Sequence, residues 1–297
     1  MRSLLIFLFI AASGIDGFAG HQSTNQKECQ KNYSTSKDFN PIDEAYTFFL
    51  KHSNESRLGI LAMRTKAVEI FKKNTKSRVL DFGSGDGKVI SKLFSGKDFV
   101  GNRLFVDLVE PAKIPMNRSE KLLANFPAKN IGRYSHLDKI DSEVRYDLIL
   151  VNHVAYYVSS LSKTIESLYS RLTDGGSIVL IMGNSQNDLV RMSSRIFEKS
   201  KIDKKFHDIS DLISILDRGG YFYSVEHLNG YLRFTANKNS VDHINRFVLG
   251  NEYVSLKNEG LKYIQNFERN GVIEMKISDS LITIRKDPIL SSVDKTI

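Results

Sequence analysis

The sequence contains the stretch Arg78-Val79-Leu80-Asp81-Phe82-Gly83-Ser84-Gly85-Asp86-Gly87, an apolar run that passes directly into a loop with three glycines. The apolar half is typical of a buried strand, and a helical pattern follows from Lys88 to about Phe94. Glycines let the backbone turn tightly and let a ligand approach the main chain closely. The stretch therefore predicts a strand, a ligand-binding loop and a helix.

The order of the glycines indicates the kind of ligand. The loop reads G-x-G-x-G, whereas the pyrophosphate of a dinucleotide requires G-x-G-x-x-G before an exposed helix start. Asp81 and Asp86 would repel phosphate but would attract a cofactor that carries an ammonium and a sulfonium. We expect Asp81, Gly83, Ser84, Gly85 and Gly87 to contact such a cofactor.

Strands and helices alternate on both sides of this loop. Their order predicts an α/β fold, Rossmann-like and doubly wound, with a mostly parallel seven-stranded sheet, helices on both faces and a helical substrate-binding addition. Gly175-Gly176 is predicted to close the helix before the fifth strand. The other predicted strands are 104–109, about 132–135, 146–151, 177–182, 221–225 and 281–284.

The predicted domain organisation has four parts. Residues 1–20 resemble a signal peptide, 21–40 form a polar linker, 41–75 form helices that cap the substrate site, and 76–297 form the main domain with an insertion around 185–275.

The N-terminus predicts a secretory route or a membrane anchor. Arg2 precedes the apolar run Leu4–Ala12, which is too short to span a bilayer, and sequons begin at Asn32, Asn54 and Asn117. The single cysteine, Cys29, is atypical of a disulfide-stapled secreted protein, which favours the cytoplasmic alternative. Once the leader is removed, no stable membrane insertion is expected.

Composition limits the partners. The net charge is +8, but the lysines are scattered and no arginine stripe is interleaved with aromatics, so nucleic acid is not expected as a partner. The seven histidines show no ligand spacing, so the sequence indicates no metal site. A monomer is the expected state.

Polar and aromatic residues follow the ends of the next strands. Glu110 ends the second strand, where it would accept hydrogen bonds from ribose hydroxyls, and Asp138 follows the third, where it would bind an adenine amino group. Asn152 and His153 end the fourth strand, and the pair Tyr156-Tyr157 comes next. Ligands of open α/β sheets bind at this edge, so the turn is predicted to face the reacting group. Packing in the core is the alternative for the tyrosines.

These residues resemble class I S-adenosylmethionine-dependent methyltransferases, which have a loop like residues 79–87 and an acid like Glu110. More narrowly, the chain resembles histamine N-methyltransferases in the segments 49–56, 109–111 and 147–158, within a weak similarity from about Asn40 to Lys286. The resemblance implies S-adenosylmethionine as the cofactor and a small amine or imidazole as the substrate.

Carried over by position, Glu55 contacts the substrate amine. His153 stands where the family has a glutamine, and Asp279 where it has an asparagine. These changes alter the hydrogen bonding of the substrate site and put histamine itself in question. We therefore expect Glu55 and Asp279 to hold a cationic tail and His153 to accept a proton. The ring faces of Tyr156 and Tyr157 would stabilise the cationic character of the transferred methyl group.

Three other functions fit the same pattern. The positive charge fits an RNA or protein methyltransferase, and the leader fits a secreted binding module that has lost catalysis. Transfer of another group of the cofactor, such as aminopropyl, is the third. The intact loop and Glu110 count against a degenerate module.

Overall fold

The computed structural model of the chain describes residues 42–72, 76–95, 99, 103–202 and 206–287. The predicted leader, the predicted linker, Cys29 and the sequon at Asn32 lie outside the described residues. The helices are α1 (Asp43–His52), α2 (Glu55–Phe71), α3 (Lys88–Leu93), α4 (Lys113–Leu122), α5 (Leu161–Ser170), α6 (Asp188–Lys199), α7 (Ile209–Arg218), α8 (Lys238–Leu249) and α9 (Tyr253–Gln265). The strands are β1 (Lys76–Phe82), β2 (Arg103–Val109), β3 (Asn130–Tyr134), β4 (Tyr146–Asn152), β5 (Leu172–Gly183), β6 (Phe222–Thr235), β7 (Glu268–Arg269) and β8 (Val272–Arg285).

The strands form one sheet in the order β3-β2-β1-β4-β5-β8-β6, with β7 paired to β8. The pairs among β1 to β5 are parallel, whereas β8 runs antiparallel to both β5 and β6. The prediction of a doubly wound, mostly parallel sheet is therefore confirmed. The path contains the seven predicted strands, and the two-residue β7 is an addition that the sequence pattern did not indicate.

Both faces of the sheet are covered, which explains the continuous apolar strands. In β4, Ile149 packs in a cluster with α5 and α7, while Leu148 and Leu150 pack in a cluster with α2 and α3. A strand buried on both faces loses the alternation of polar and apolar residues. Among the described residues, we find no helix with the length and apolarity needed to cross a bilayer.

A third cluster lies where the helices α1, α6, α8 and α9 pack on one half of β6 and β8. Phe49 of α1, Met192 of α6 and Ile244 of α8 meet there with Leu232 of β6. The range 185–275, which we predicted as a substrate-site insertion, therefore contains helices together with β6, a strand of the main sheet.

The structure corrects the predicted lengths of several elements. Helix α5 ends at Ser170, and β5 begins at Leu172, so Gly175-Gly176 lies inside the strand and not at a helix end. The β4–β5 register is irregular between Tyr146 and Leu148, and Gly175 has φ +79° at this irregularity. Strand β6 spans Phe222–Thr235, whereas the sequence predicted 221–225. The prediction was too short because polar residues on the exposed edge of β6 mask the strand pattern.

A polar network of three side chains connects the strands β1, β2 and β4. The hydroxyl of Tyr146 donates to Asp107 Oδ2 at 2.9 Å, and Arg78 donates to the same oxygen through Nε at 3.1 Å and Nη2 at 2.9 Å. Tyr146 is fully buried. Burial and the charge of Asp107 raise the pKa of Tyr146.

Replacing Tyr146 by Phe should lower the free energy of unfolding by about 1–3 kcal/mol, because one hydrogen bond to a buried carboxylate is lost. Denaturant unfolding of the two proteins at neutral pH measures the difference. Tyr231→Phe, at a side chain that is 48% exposed, is the matched control and should leave the free energy unchanged. Equal losses in both variants would show that the bond to Asp107 contributes nothing specific.

Candidate active site

The glycine-rich loop lies at the carboxyl edge of the sheet, directly after β1. The amides of Gly83 and Ser84 both donate to the carbonyl of Val109, at 2.8 Å and 3.1 Å, so the loop is fixed to the end of β2. Gly83, Gly85 and Gly87 have positive φ values of 77°, 53° and 77°. A Cβ at Gly85 would meet nothing within 4 Å, so the loop opens towards free space at this residue.

Two carboxylates lie under the loop. Glu110 accepts from the amide of Gly85 at 3.0 Å and from that of Ala112 at 2.8 Å. Asp81 is only 1% exposed, and burial, followed by the charge of Glu110, raises its pKa to about 7. Asp81 Oδ2 and Ser84 Oγ are buried without a hydrogen-bond partner. Buried polar atoms are normally hydrogen-bonded, so these two indicate a ligand with polar hydrogens beside the loop.

The remaining predicted cofactor residues follow β3 and β4 at the same edge. Asp138 is exposed in a single 3-10 turn, Leu137–Lys139, and Asn152 is the partly buried last residue of β4. A Cβ at Gly59 would lie 4.0 Å from Asn152 Oδ1, so this side chain faces α2. The predicted roles of Asp138 and Asn152 stay predictions.

Two acids and one histidine of the predicted substrate site meet beside this loop. Glu55 begins α2, His153 follows β4, and Asp279 lies in β8 opposite Gly183 of β5. Glu55 Oε2 lies 3.7 Å from His153 Nε2, and Asp279 Oδ2 lies 4.0 Å from the same nitrogen. One ligand atom from each residue lies within 4.8 Å of the other two. We call these three residues the acid–histidine triad.

Backbone contacts position each member of the triad. Asn54, just before α2, accepts from the amide of Tyr231 in β6 at 2.8 Å and thereby fixes the start of the helix that bears Glu55. His153 has φ +53°, a left-handed conformation, and its amide donates to the carbonyl of Ile181 at 3.0 Å. Asp279 Oδ1 accepts from Asn187 Nδ2 at 3.2 Å. The sequence pattern gave no signal for Asn54 or Asn187.

Burial dominates the electrostatics of the triad. The side chains of Glu55 and Asp279 are 13% and 4% exposed, and desolvation raises the pKa of both. The neighbouring His153 favours the ionised form of each carboxyl group, whereas Asp279 opposes ionisation of Glu55. Two carboxylates this close and this buried are both ionised only when a positive charge lies between them.

Three tyrosines surround the triad. The amide of Gly183 donates to the hydroxyl of Tyr156, which lies 3.5 Å from His153 Nδ1. Burial raises the pKa of Tyr156, of Tyr157 and of Tyr46, a residue of α1. The charges of Glu55 and Asp86 also raise the pKa of Tyr46. Our sequence analysis missed Tyr46, although it lies in the predicted first helix.

The triad also has the composition of a metal-binding group, although the sequence indicated no metal site. We considered only the spacing of histidines along the chain. The ligands here come from three distant segments, and two of them are carboxylates.

The sheet order and the loop define a Rossmann-like domain with two acids, Asp81 and Glu110, at the carboxyl edge of the sheet. The sequence matches the family model "Methyltransferase domain" over residues 56–263, and the chain belongs to this family. Its cofactor is S-adenosylmethionine, and the open loop at Gly85 and the unpartnered Asp81 oxygen fit the polar hydrogens of its amino-acid end.

Solved structures support the fold. YcgJ from Bacillus subtilis has a TM-score of 0.55 and 15% identity, over 77% of this chain and 98% of that chain. The plantazolicin methyltransferase BpumL, crystallised with S-adenosylhomocysteine and a triazolic analogue, has a TM-score of 0.50 and 13% identity, over 87% and 94%. Comparison with curated proteins found no match. The resemblance to histamine N-methyltransferases stays a prediction.

Replacing Gly85 by Arg should abolish cofactor binding, because the side chain fills the opening of the loop. Calorimetric titration with S-adenosylhomocysteine should show at least a roughly 100-fold loss of affinity, about 2.7 kcal/mol. Gly220→Arg is the matched control, since Gly220 also has positive φ (+63°) and free space around it but lies after α7. Undiminished binding to the Gly85 variant would contradict this location of the cofactor.

Asp81→Asn should change the pH dependence of stability. The folded-state pKa of Asp81, about 7, lies above the ordinary aspartate value of 3.8, so its contribution to stability is present at low pH and is lost as the pH rises towards 7. The difference in unfolding free energy between variant and wild type should shift in favour of the variant by roughly 2–4 kcal/mol between pH 5 and pH 8. Denaturant unfolding without cofactor measures it, and a difference independent of pH would contradict the buried, proton-binding state of Asp81.

Proposed function

We propose that the protein transfers a methyl group from S-adenosylmethionine to a nitrogen of a small amine or imidazole compound. The observation that supports this proposal is the acid–histidine triad, which brings two buried carboxylates beside the cofactor loop. A cationic group on the substrate would supply the positive charge that these carboxylates require.

Each member of the triad has a separate role in this proposal. Glu55 and Asp279 bind the cationic tail through charge-assisted hydrogen bonds, and the reacting nitrogen lies away from them in its neutral form. His153 accepts the proton that this nitrogen loses once it has gained the methyl group. Histidine is suited to this transfer because its ordinary pKa lies near neutrality.

The cofactor supplies an electrophilic methyl group on a sulfonium when it is bound. The chain itself contributes mainly positioning, which supplies about 7–11 kcal/mol of the barrier in well-aligned reactions. Tyr156, Tyr157 and Tyr46 contribute ring faces and hydroxyls around the substrate and keep water away from it.

The charge of the site disfavours a polyanionic acceptor. RNA-modifying enzymes bind phosphates with Lys and Arg, whereas the described part of this site contains two carboxylates and one histidine. The net charge of +8 is a property of the whole chain and does not describe the triad.

Replacing Glu55 by Gln tests the proposal. The apparent KM for the accepted amine should rise roughly 10- to 100-fold, because a charge-assisted hydrogen bond contributes about 1.5–3 kcal/mol. Binding of S-adenosylhomocysteine should stay within about twofold of wild type. The acceptor is identified first by screening small amines and imidazoles, histamine among them, for methyl transfer.

Glu44→Gln, at an exposed carboxylate of the first turn of α1, is the matched control. It should change neither the KM for the amine nor the affinity for S-adenosylhomocysteine. A Glu55 variant with an unchanged KM would contradict the assignment of Glu55, and methyl transfer to RNA in place of amines would overturn the proposed acceptor class.

A further inference from the structure

The distances within the acid–histidine triad are longer than hydrogen bonds. N–H···O hydrogen bonds have heavy-atom distances of about 2.7–3.2 Å. His153 Nε2 lies 3.7 Å from the Glu55 oxygen and 4.0 Å from the Asp279 oxygen. The ligand oxygen atoms of the two carboxylates lie within 4.8 Å of each other. The three ligand atoms thus face a common point without bonding to one another. An ion equidistant from all three would lie about 2.5 Å from each, and small side-chain movements reach the shorter bonds of a transition metal.

Asp279 faces this common point, and within the described residues its Oδ2 accepts no hydrogen bond. Its side chain is 4% exposed, and Oδ1 accepts from Asn187 while Oδ2 faces His153. Asn187 is itself buried and caps α6 by accepting from the amide of Leu189 at 3.0 Å. The carboxylate is therefore fixed from behind, as the ligands of metal sites commonly are.

His153 is oriented in the same way. Its Nδ1 lies 3.5 Å from the hydroxyl of Tyr156, which is itself held by the amide of Gly183. When Nδ1–H faces the Tyr156 oxygen, Nε2, the nitrogen facing both carboxylates, carries no proton and can bind a metal ion.

We propose that Glu55, His153 and Asp279 bind one divalent transition-metal ion and that this ion excludes the cationic substrate. Two carboxylates and one imidazole form a mixed oxygen and nitrogen donor set that suits Zn²⁺, Co²⁺ or Mn²⁺, whereas Mg²⁺ and Ca²⁺ prefer oxygen ligands alone. A divalent ion offsets both carboxylate charges, whereas an ammonium group offsets one. The exclusion of substrate rests on the proposed function, but the binding of metal does not.

Metal binding is tested on the full chain, free of any histidine tag and treated with a chelator. Titration with Co²⁺, followed by visible absorption, and with Zn²⁺, followed by calorimetry, should show one equivalent bound. Asp279→Asn should weaken binding roughly 100-fold or more, because loss of a supporting residue alone costs about 10- to 100-fold. Glu274→Gln, at an exposed carboxylate of the same strand, is the control and should bind like wild type.

Absence of a specific equivalent, or equal affinity in the Asp279 variant and wild type, would overturn the metal site. The exclusion of substrate is measured separately, with the accepted amine as substrate. Zn²⁺ should raise KM without lowering kcat, and a rate that rises with bound metal would overturn the exclusion. Stoichiometric metal binding to a protein that methylates no amine would instead uphold the metal site and contradict the proposed function.

Discussion

The close approach of Gly83 to Val154 is the contact on which the arrangement of both sites depends. A Cβ at Gly83 would lie 2.5 Å from a methyl carbon of Val154, so this position has no room for any other residue. Phe82 of β1 pairs with Val151 of β4, and the two chains leave the sheet side by side. The glycine-rich loop and the turn that bears His153 consequently pack directly against each other. The glycine-rich loop and the acid–histidine triad therefore belong to the same sheet edge.

The local elements of the fold were predictable because their signals are local. Residues 78–87 combine an apolar strand with glycines of positive φ, and Glu110 follows an equally clear strand. The long antiparallel pair β6–β8 was underestimated because its stability comes from pairing between distant segments. Polar residues of β6 such as Glu226 and His227 do not reveal this pairing in the sequence. The same reason explains the error at Gly175, where pairing between Leu172 and Tyr146 overrides a helix-ending signal.

The acid–histidine triad was only partly predictable. Its members are far apart in the sequence, and no spacing rule connects Glu55 with Asp279. They were identified through the resemblance to known enzymes, whereas their burial and mutual distances come from the structure alone. Tyr46 and Asn187 escaped prediction because a tyrosine in an amphipathic helix and an asparagine before a helix have ordinary structural roles. The contact of Asn187 with Asp279 is evident only from the structure.

The candidate site is acidic, although the chain as a whole carries a positive net charge. The chain is basic as a whole, yet four acids, Asp81, Glu110, Glu55 and Asp279, lie at the glycine-rich loop and in the triad with His153. Solvent and salt screen the scattered surface lysines, whereas the buried carboxylates act in a medium of lower dielectric constant. Local selectivity for cations is thus compatible with a positive net charge.

The left-handed backbone of His153 restricts the evolution of this site. Apart from Gly, positive φ is found mainly for Asn, Asp and His, and β-branched side chains there are strained. Divergence of acceptor preference at position 153 must therefore proceed through a small set of amino acids, each with its own polarity. Positions 55 and 279, in a helix and a strand, are free of this restriction. Substitution at these two positions therefore changes the side chain without straining the backbone.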